Sequence, residues 1–308
     1  MPEYAVVVAT YNRGSKITPL LESILRSEVQ NFEVVIVDQS TNDDTRRAVE
    51  SFLGDLRVRY FHSNVASTSR SRNRGFALTK APIVAITDDD CIVPSDWLSR
   101  LARPFELHPE VGVVYCNVDP LPAPGPGHTP NIRFGTNRVI RGFKDIRPGQ
   151  RLWMGAGMAV RRLMLDDVQG FDENLGPGEM FPACEDNDIA WRGLARGWWI
   201  YETADVAVIH DGHRTLEQLR AHATRDFYGI GGTLAKYLKS GHLTVAAMLL
   251  PLLYRLGVVE PLTDILHGRI PRGFRRPLLL LRGFIDGLCT PLNRRTLCYL
   301  KPIERADL

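Results

Sequence analysis

The sequence predicts an α/β fold, with a mostly parallel central sheet followed by a C-terminal helical segment. Two observations point to the sheet. Short continuous apolar runs alternate with stretches of helical spacing, the pattern of crossover units with helices on both faces. The runs do not alternate polar with apolar, so their strands are buried on both sides, as in a parallel sheet. A third observation marks the segment: after about residue 215 the strand signal ends and the chain becomes basic and apolar in helix-length blocks.

Tyr4-Ala-Val-Val-Val-Ala-Thr10 is the first strand and reads as central. Tyr11-Asn-Arg-Gly-Ser15 carries turn chemistry, and Ile17, Leu20, Leu21 and Ile24 then recur at helical spacing. Phe32-Glu-Val-Val-Ile-Val-Asp38 is a second buried strand ending on an acid; a polar turn from Gln39 to Asp44 and a helix to about Phe52 follow. A short strand at Val58–Phe61 and a helix from Ser69 to Leu78 lead to Ile83-Val-Ala-Ile, which breaks into Asp88, Asp89 and Asp90. A helix is expected from near Ser95 and a strand at Val111–Tyr115.

From Asp119 to Arg151 this pattern fails. Pro120-Leu-Pro-Ala-Pro-Gly-Pro-Gly-His128 cannot sustain a helix or an interior strand, because proline lacks the amide donor. The segment is expected to be a structureless excursion, and it holds Arg133, Arg138, Arg141, Lys144, Arg147 and Arg151. It reads either as a solvated surface loop or as a loop for an anionic acceptor. Beyond it, Ala159–Val168 and Glu185–Arg196 read as helices, and Trp198–Tyr201 and Ala207–His210 as two short strands.

Charge is uneven although the net value is only +3. Residues 1–215 carry 24 Lys/Arg against 28 Asp/Glu, while residues 216–308 carry 14 against 7, so an acidic body precedes a basic tail suited to an anionic surface. Leu243–Val259 is strongly apolar yet interrupted by Pro251 and Arg255, and Pro277–Leu288 follows Arg275 and Arg276. That mixture suits helices lying in a headgroup plane. The competing interpretation is a helical subdomain packed on the catalytic body or another subunit. No nucleic-acid partner is expected. Five widely spaced cysteines without a C-x-x-C read as free thiols, and the start of the chain has neither a basic region nor a long apolar core. A cytoplasmic protein, peripheral on the inner face of the cell membrane, is therefore expected.

Three adjacent carboxylates at a strand end repel one another unless neutralised, and a hard divalent cation with oxygen ligands does that and can clamp a diphosphate. Ligands in open α/β sheets bind outside the carboxyl ends of the strands, where Asp38 and Asp88–Asp90 fall. Asp90 is chosen for direct metal coordination. Asp88, two residues back and on the same side of an extended chain, is expected at the metal or the ribose. The plainer alternative is an acidic turn capping the next helix.

The motifs Val7-Val-Ala-Thr-Tyr-Asn-Arg13, Val35-Ile-Val-Asp-Gln-Ser-Thr41, Ser71-Arg-Asn-Arg-Gly75, Thr87-Asp-Asp-Asp90, Gly170-Phe-Asp-Glu173 and Glu185-Asp186 stand in the order and spacing of family 2 glycosyltransferases. Residues 4–215 resemble that family. The resemblance implies the GT-A fold: a Rossmann-like nucleotide-sugar half at 1–115, an acceptor half at 116–215 carrying the 119–151 loop, and then the helical region 216–308. It implies inverting transfer from a nucleotide-diphosphate sugar, of UDP or dTDP type, to a lipid-linked or glycan hydroxyl in bacterial surface glycan or glycolipid synthesis, assisted by Mg²⁺ or Mn²⁺. It assigns Thr10, Asn12, Asp38, Arg72, Asp88 and Asp89 to the donor, and Gly157, Glu185 and Arg192 to the acceptor. Asp90, Asp88 and His210 go to the metal, and Asp186 is the catalytic base. Ser71 stands where the family usually has Ala. The Q-x-x-R-W of processive synthases is missing, so addition of a single sugar is expected.

Two other classes compete. A sugar-1-phosphate nucleotidyltransferase would carry a Gly-rich loop ending in basic residues near the N-terminus, which Ala9-Thr-Tyr-Asn-Arg-Gly14 is not. A non-catalytic nucleotide- or carbohydrate-binding scaffold would have no need of Asp38, Asp88, Asp90 and Asp186 together.

Overall fold

A computed structural model describes residues 1–122, 128–147, 153–268 and 274–300. The first half of the chain alternates as the apolar runs predict: β1 (Tyr4–Thr10), α1 (Ile17–Leu25), β2 (Phe32–Asp38), α2 (Asp44–Glu50), β3 (Val58–His62), α3 (Thr68–Leu78) and β4 (Ile83–Asp88). A two-residue β5 (Cys91–Ile92), α4 (Trp97–Leu107) and β6 (Val111–Pro120) follow. The other half holds β7 (Arg138–Ile140), β8 (Met158–Arg161), α5 (Arg162–Val168), α6 (Glu185–Ala195) and β9 (Trp199–His210). The chain closes with α7 (Leu216–Lys239), α8 (Leu243–Ala246), α9 (Leu249–Tyr254), α10 (Glu260–Leu266) and α11 (Arg275–Cys289).

One sheet runs in the order β3-β2-β1-β4-β8-β6-β9-β5, with β7 on the flank of β9. Its first four strands are parallel. β8 inserts antiparallel between β4 and β6, and β6 with β9 resumes the common direction. Val6, Val7 and Val8 are fully buried, as continuous apolar patterning requires; each contributes roughly 1.5–3 kcal/mol. Register partners Thr10–Asp38 and Asp38–His62, with Ala9 opposite Asp88, bring these strand ends to one edge. α3 packs flush on β1, because a side chain at Gly75 would run into Val7.

Three expectations change. Met158–Arg161 is a strand, not the start of a helix, and the helix begins only at Arg162. The strand's three apolar residues, buried on both faces, carry no period that separates strand from helix. The two strands expected before His210 are one; the apparent gap is a register shift in which Thr203 pairs Cys116 and Ala207 pairs the next residue, Asn117. The 119–151 segment is not structureless. β6 runs into it, Ile132 bridges Val118, β7 pairs β9, and Phe143–Asp145 forms a 3₁₀ turn. Two of its basic residues are engaged: Arg133 pairs Asp119 at 2.5 Å, and Arg141 lies over Trp199. Arg151 and residues 123–127 of that expectation lie outside the described residues.

The helical segment is joined to the α/β body by buried charge. Lys236 of α7 donates to Asp172 at 2.5 Å and to Asp188 of α6 at 2.8 Å, and all three side chains are sealed from solvent. Tyr237 also donates to the Asp188 carbonyl. α7 and α11 meet backbone to backbone, since a side chain at Gly231 would run into the Leu280 carbonyl and one at Gly283 into that of Tyr228. The capping box of Thr215 and Gln218 sets the start of α7.

Candidate active site

The site forms where the carboxyl ends of β1, β2 and β4 meet the first turn of α6. On the β2 side, Asp38 is buried and its two oxygens accept from Ser40 N at 2.8 Å and from the Tyr60 hydroxyl at 2.7 Å. Burial and the Asp38 carboxylate raise the Tyr60 pKa, keeping it a donor. Asn12 holds a left-handed backbone (φ 52°); its amide donates to Ser40 Oγ and its Oδ1 accepts from Thr41 N. These bonds shape an open cleft of about 470 Å³ lined by Gln39, Ser40, Thr41, Asn42, His62 and Asn64. Thr10 is buried behind it, its carbonyl accepting from Gln39 N.

The acid cluster comes next. Arg13 spans two of its members, with Nε 3.2 Å from Asp89 Oδ1 and Nη2 3.2 Å from Asp90 Oδ2. Burial pushes Asp89 up to about 7 despite the pull of Arg13. Burial acts the same way on Asp90, but His210 and Arg13 outweigh it and hold its carboxyl below the usual range. The β5–β9 pairing sets Cys91 opposite His210 and so brings His210 Nε2 to 3.3 Å from Asp90 Oδ1. Any side chain at Gly212 would run into the His210 ring.

These residues fit a divalent cation. Asp90 Oδ1 is buried with His210 Nε2 as its near neighbour, and it shares with His210 and Cys91 a space in which one ligand atom from each lies within 4.8 Å of the others. A carboxylate and an imidazole suit Mg²⁺ or Mn²⁺; burial raises the Cys91 pKa well above the ordinary value, so it stays a thiol and a poor ligand for either ion.

Across the cleft, Cys184 adopts a left-handed conformation (φ 76°), uncommon for a residue with a side chain, and turns the chain into α6 so that Glu185 and Asp186 open the helix. Asp186 Oδ2 accepts from Gly155 N at 2.8 Å and its carbonyl from the Tyr115 hydroxyl at 2.5 Å. Asp186 Oδ1 meets Arg72 Nη1 at 2.5 Å. Burial, with Asp186 beside it, pushes Glu185 up to about 8.

Arg72 ties the two walls together. It is buried, stacks over Phe171, and reaches Asp88 at 3.3 Å, Glu185 at 3.4 Å and Asp186. Three carboxylates surround the guanidinium that was expected at the nucleotide. The expectation for Arg192 is corrected. It is sealed under α6, donating to Asp188, the Val168 carbonyl and the Gly170 carbonyl, and cannot reach an acceptor. Gly157 lies buried against Cys116, and the glycine that touches Asp186 is Gly155. Arg13, Tyr60, Tyr115 and Gly155 carried no role in the sequence reading. Arg13 lay within a quoted motif, so its position was visible; Tyr60 and Tyr115 reach the site through the sheet, and Gly155 through the 3₁₀ turn that precedes β8.

The chain matches the family described as "Glycosyl transferase family 2" over residues 5–158, and "Glycosyl transferase family group 2" over residues 83–278. The glycosyltransferase GlyG of Streptococcus pneumoniae is 31% identical over 99 residues, 32% of this chain and 33% of that protein. The glucosyl-dolichyl phosphate glucuronosyltransferase of Haloferax volcanii is 29% identical over 180 residues, 56% of each chain. The chain thus spans about a third to a half of the length of these two relatives. The O-antigen chain rhamnosyltransferase WbaN of Salmonella anatum is 23% identical over 264 residues, 78% of this chain and 80% of that one. Among solved structures, the mannosyltransferase PcManGT of Pyrobaculum calidifontis, in complex with GDP-Man and Mn²⁺, superposes with a TM-score of 0.63 at 18% identity, covering 93% of this chain and 87% of that one. S. aureus TarS 1-349 gives 0.57 at 19% identity, covering 96% and 90%. At these identities the likeness carries the GT-A fold.

Proposed function

We propose, from the fact that the chain belongs to glycosyl transferase family 2, that it moves one sugar from a nucleotide-diphosphate donor to a hydroxyl acceptor with inversion. The acceptor hydroxyl oxygen attacks the anomeric carbon while the bond from that carbon to the diphosphate oxygen breaks, and the electron pair leaves on the diphosphate. Asp186 takes the hydroxyl proton. Asp90 and His210, with Asp88, would hold Mg²⁺ or Mn²⁺, which as a Lewis acid stabilises the charge developing on the leaving diphosphate. The Asn42–His62 cleft takes the nucleoside, with Asp38 holding the Ser40 turn in shape. The observation that carries this reading is the Arg72 bridge, which couples the acid cluster of one half to the carboxylate base of the other.

The donor is of UDP or dTDP type, and the acceptor is lipid-linked or a glycan in bacterial surface glycan synthesis, reached at the inner face of the cell membrane. The basic helical segment supports an anionic acceptor. A thermal-shift screen of nucleotides and nucleotide-sugars with Mn²⁺ identifies the donor without an acceptor. With that donor, Asp186→Asn should retain nucleotide binding and lose about 10²–10⁴-fold in transfer; full transfer by Asp186→Asn and Asp90→Ala together would refute the mechanism.

A further inference from the structure

The last helices wear their polarity inside out. Leu243–Leu266 is a nearly continuous 24-residue helical run through α8, α9, a π turn at Arg255–Val259 and α10, long and apolar enough by composition to cross a membrane. A helix facing water turns its charges outward and its apolar stripe inward. Here Asp264 is only 2% exposed, and Glu260 is turned inward, paired with Arg276 of α11 at 2.6 Å. Leu250, Tyr254, Val258, Leu262 and Leu266, each four residues from the next, face outward, with Leu266 83% exposed. α11 adds exposed Leu278, Leu281 and Ile285.

We propose that this face docks the protein onto an anionic lipid bilayer, with α8–α11 lying in the plane of the headgroups. Charge complementarity selects the occupant. Arg255, Arg275 and Arg282 stand exposed among the apolar residues, Arg255 pairing with Glu260 at 3.2 Å and Arg282 with Asp286 at 3.8 Å while both heads stay open to solvent; arginine stems lie along an apolar surface and their heads reach phosphate. A second copy seated symmetrically on the same face would bring these arginines toward their own images. A crossing helix would put Arg255, midway along the run, at the hydrocarbon centre, where it is costly, and would uncover Leu256 and Asp264, which are buried here. Docking in the plane keeps both inner contacts and lets Arg255 stay at the interface. The inference deepens the lipid-linked acceptor reading and rests on it only for the purpose of docking, which is to hold the site beside an acceptor anchored in the same bilayer.

The test is flotation of the full chain with phosphatidylcholine vesicles, with and without phosphatidylglycerol. Binding is expected on the anionic vesicles and should weaken with salt. Leu262→Ser combined with Ile285→Ser, both at exposed positions, should reduce it by about tenfold or more. Arg255→Gln with Arg282→Gln should reduce it on the anionic vesicles alone. Nucleotide-induced thermal shifts should be unchanged in all variants. No flotation with an intact nucleotide shift would overturn the docking inference and leave the glycosyltransferase reading standing; flotation without any nucleotide shift would do the reverse. A dimer abolished by Leu262→Ser, without vesicle binding, would assign the face to a second copy. Resistance to alkaline extraction would mean that the run spans the bilayer and would also overturn the proposal.

Discussion

Arg72 Nη1 lies 2.5 Å from Asp186 Oδ1, and the same guanidinium reaches Asp88, so one buried cation joins the metal-side acids to the carboxylate proposed as base. Removing one partner of a buried ion pair leaves the rest uncompensated. Arg72→Met should therefore lower unfolding free energy by about 3–5 kcal/mol. Arg72→Lys should restore part of the stability but little transfer, because an ammonium cannot hold three carboxylates in a planar fork. Urea titration and transfer rates on the same samples separate the two effects.

Gly155 offers a gentler probe of the base. A methyl group at this position would collide with the Asp186 carboxylate that its amide now holds. Gly155→Ala should lower kcat by about 10²-fold, the scale of a displaced catalytic group, while the donor KM stays within about threefold. An unchanged kcat would remove Asp186 from the chemistry.

Asp90→Asn and His210→Ala should each weaken Mn²⁺ binding, read directly as loss of the Mn²⁺-dependent thermal shift in the absence of any sugar. EDTA should abolish wild-type transfer, and added Mn²⁺ should restore it. Cys91→Ser should leave the Mn²⁺ shift intact, since burial keeps Cys91 a neutral thiol.

The buried Lys236 links predict acid sensitivity. Burial acts to raise the Asp172 pKa, but Lys236 and Arg192 outweigh it and hold the carboxyl below its ordinary value. Its stabilisation is present above the unfolded-state value of about 3.9 and is lost as pH falls through the lower folded one. Unfolding free energies measured from pH 7 down to pH 3 should fall in that window, and Lys236→Met should flatten the fall. The same variant should cost about 3–5 kcal/mol at pH 7, because the buried Asp172 and Asp188 lose their shared ammonium.

Much of the fold was legible locally. Continuous Val, Ile and Ala runs require burial on both faces, so β1, β2 and β4 fall where the sequence predicts. Strand ends are local too, and Asp38 and Asp88 therefore sit at the carboxyl edge of the sheet. Met158–Arg161 was misread because three apolar residues have no distinguishing period, and its identity comes from Val84 and Val113 on either side.

By itself the sequence determined the alternation of elements, the row of acids at the strand ends and the basic, apolar character of the last helices. Tertiary structure alone decided that Arg72 bridges carboxylates from both halves, that Arg192 is sealed under α6, and that Glu260 and Asp264 turn inward while leucines face out. The reason is physical. Periodicity reports which residues are apolar, but the partner of a charge is chosen by residues more than a hundred positions away, as Arg72 and Asp186 are.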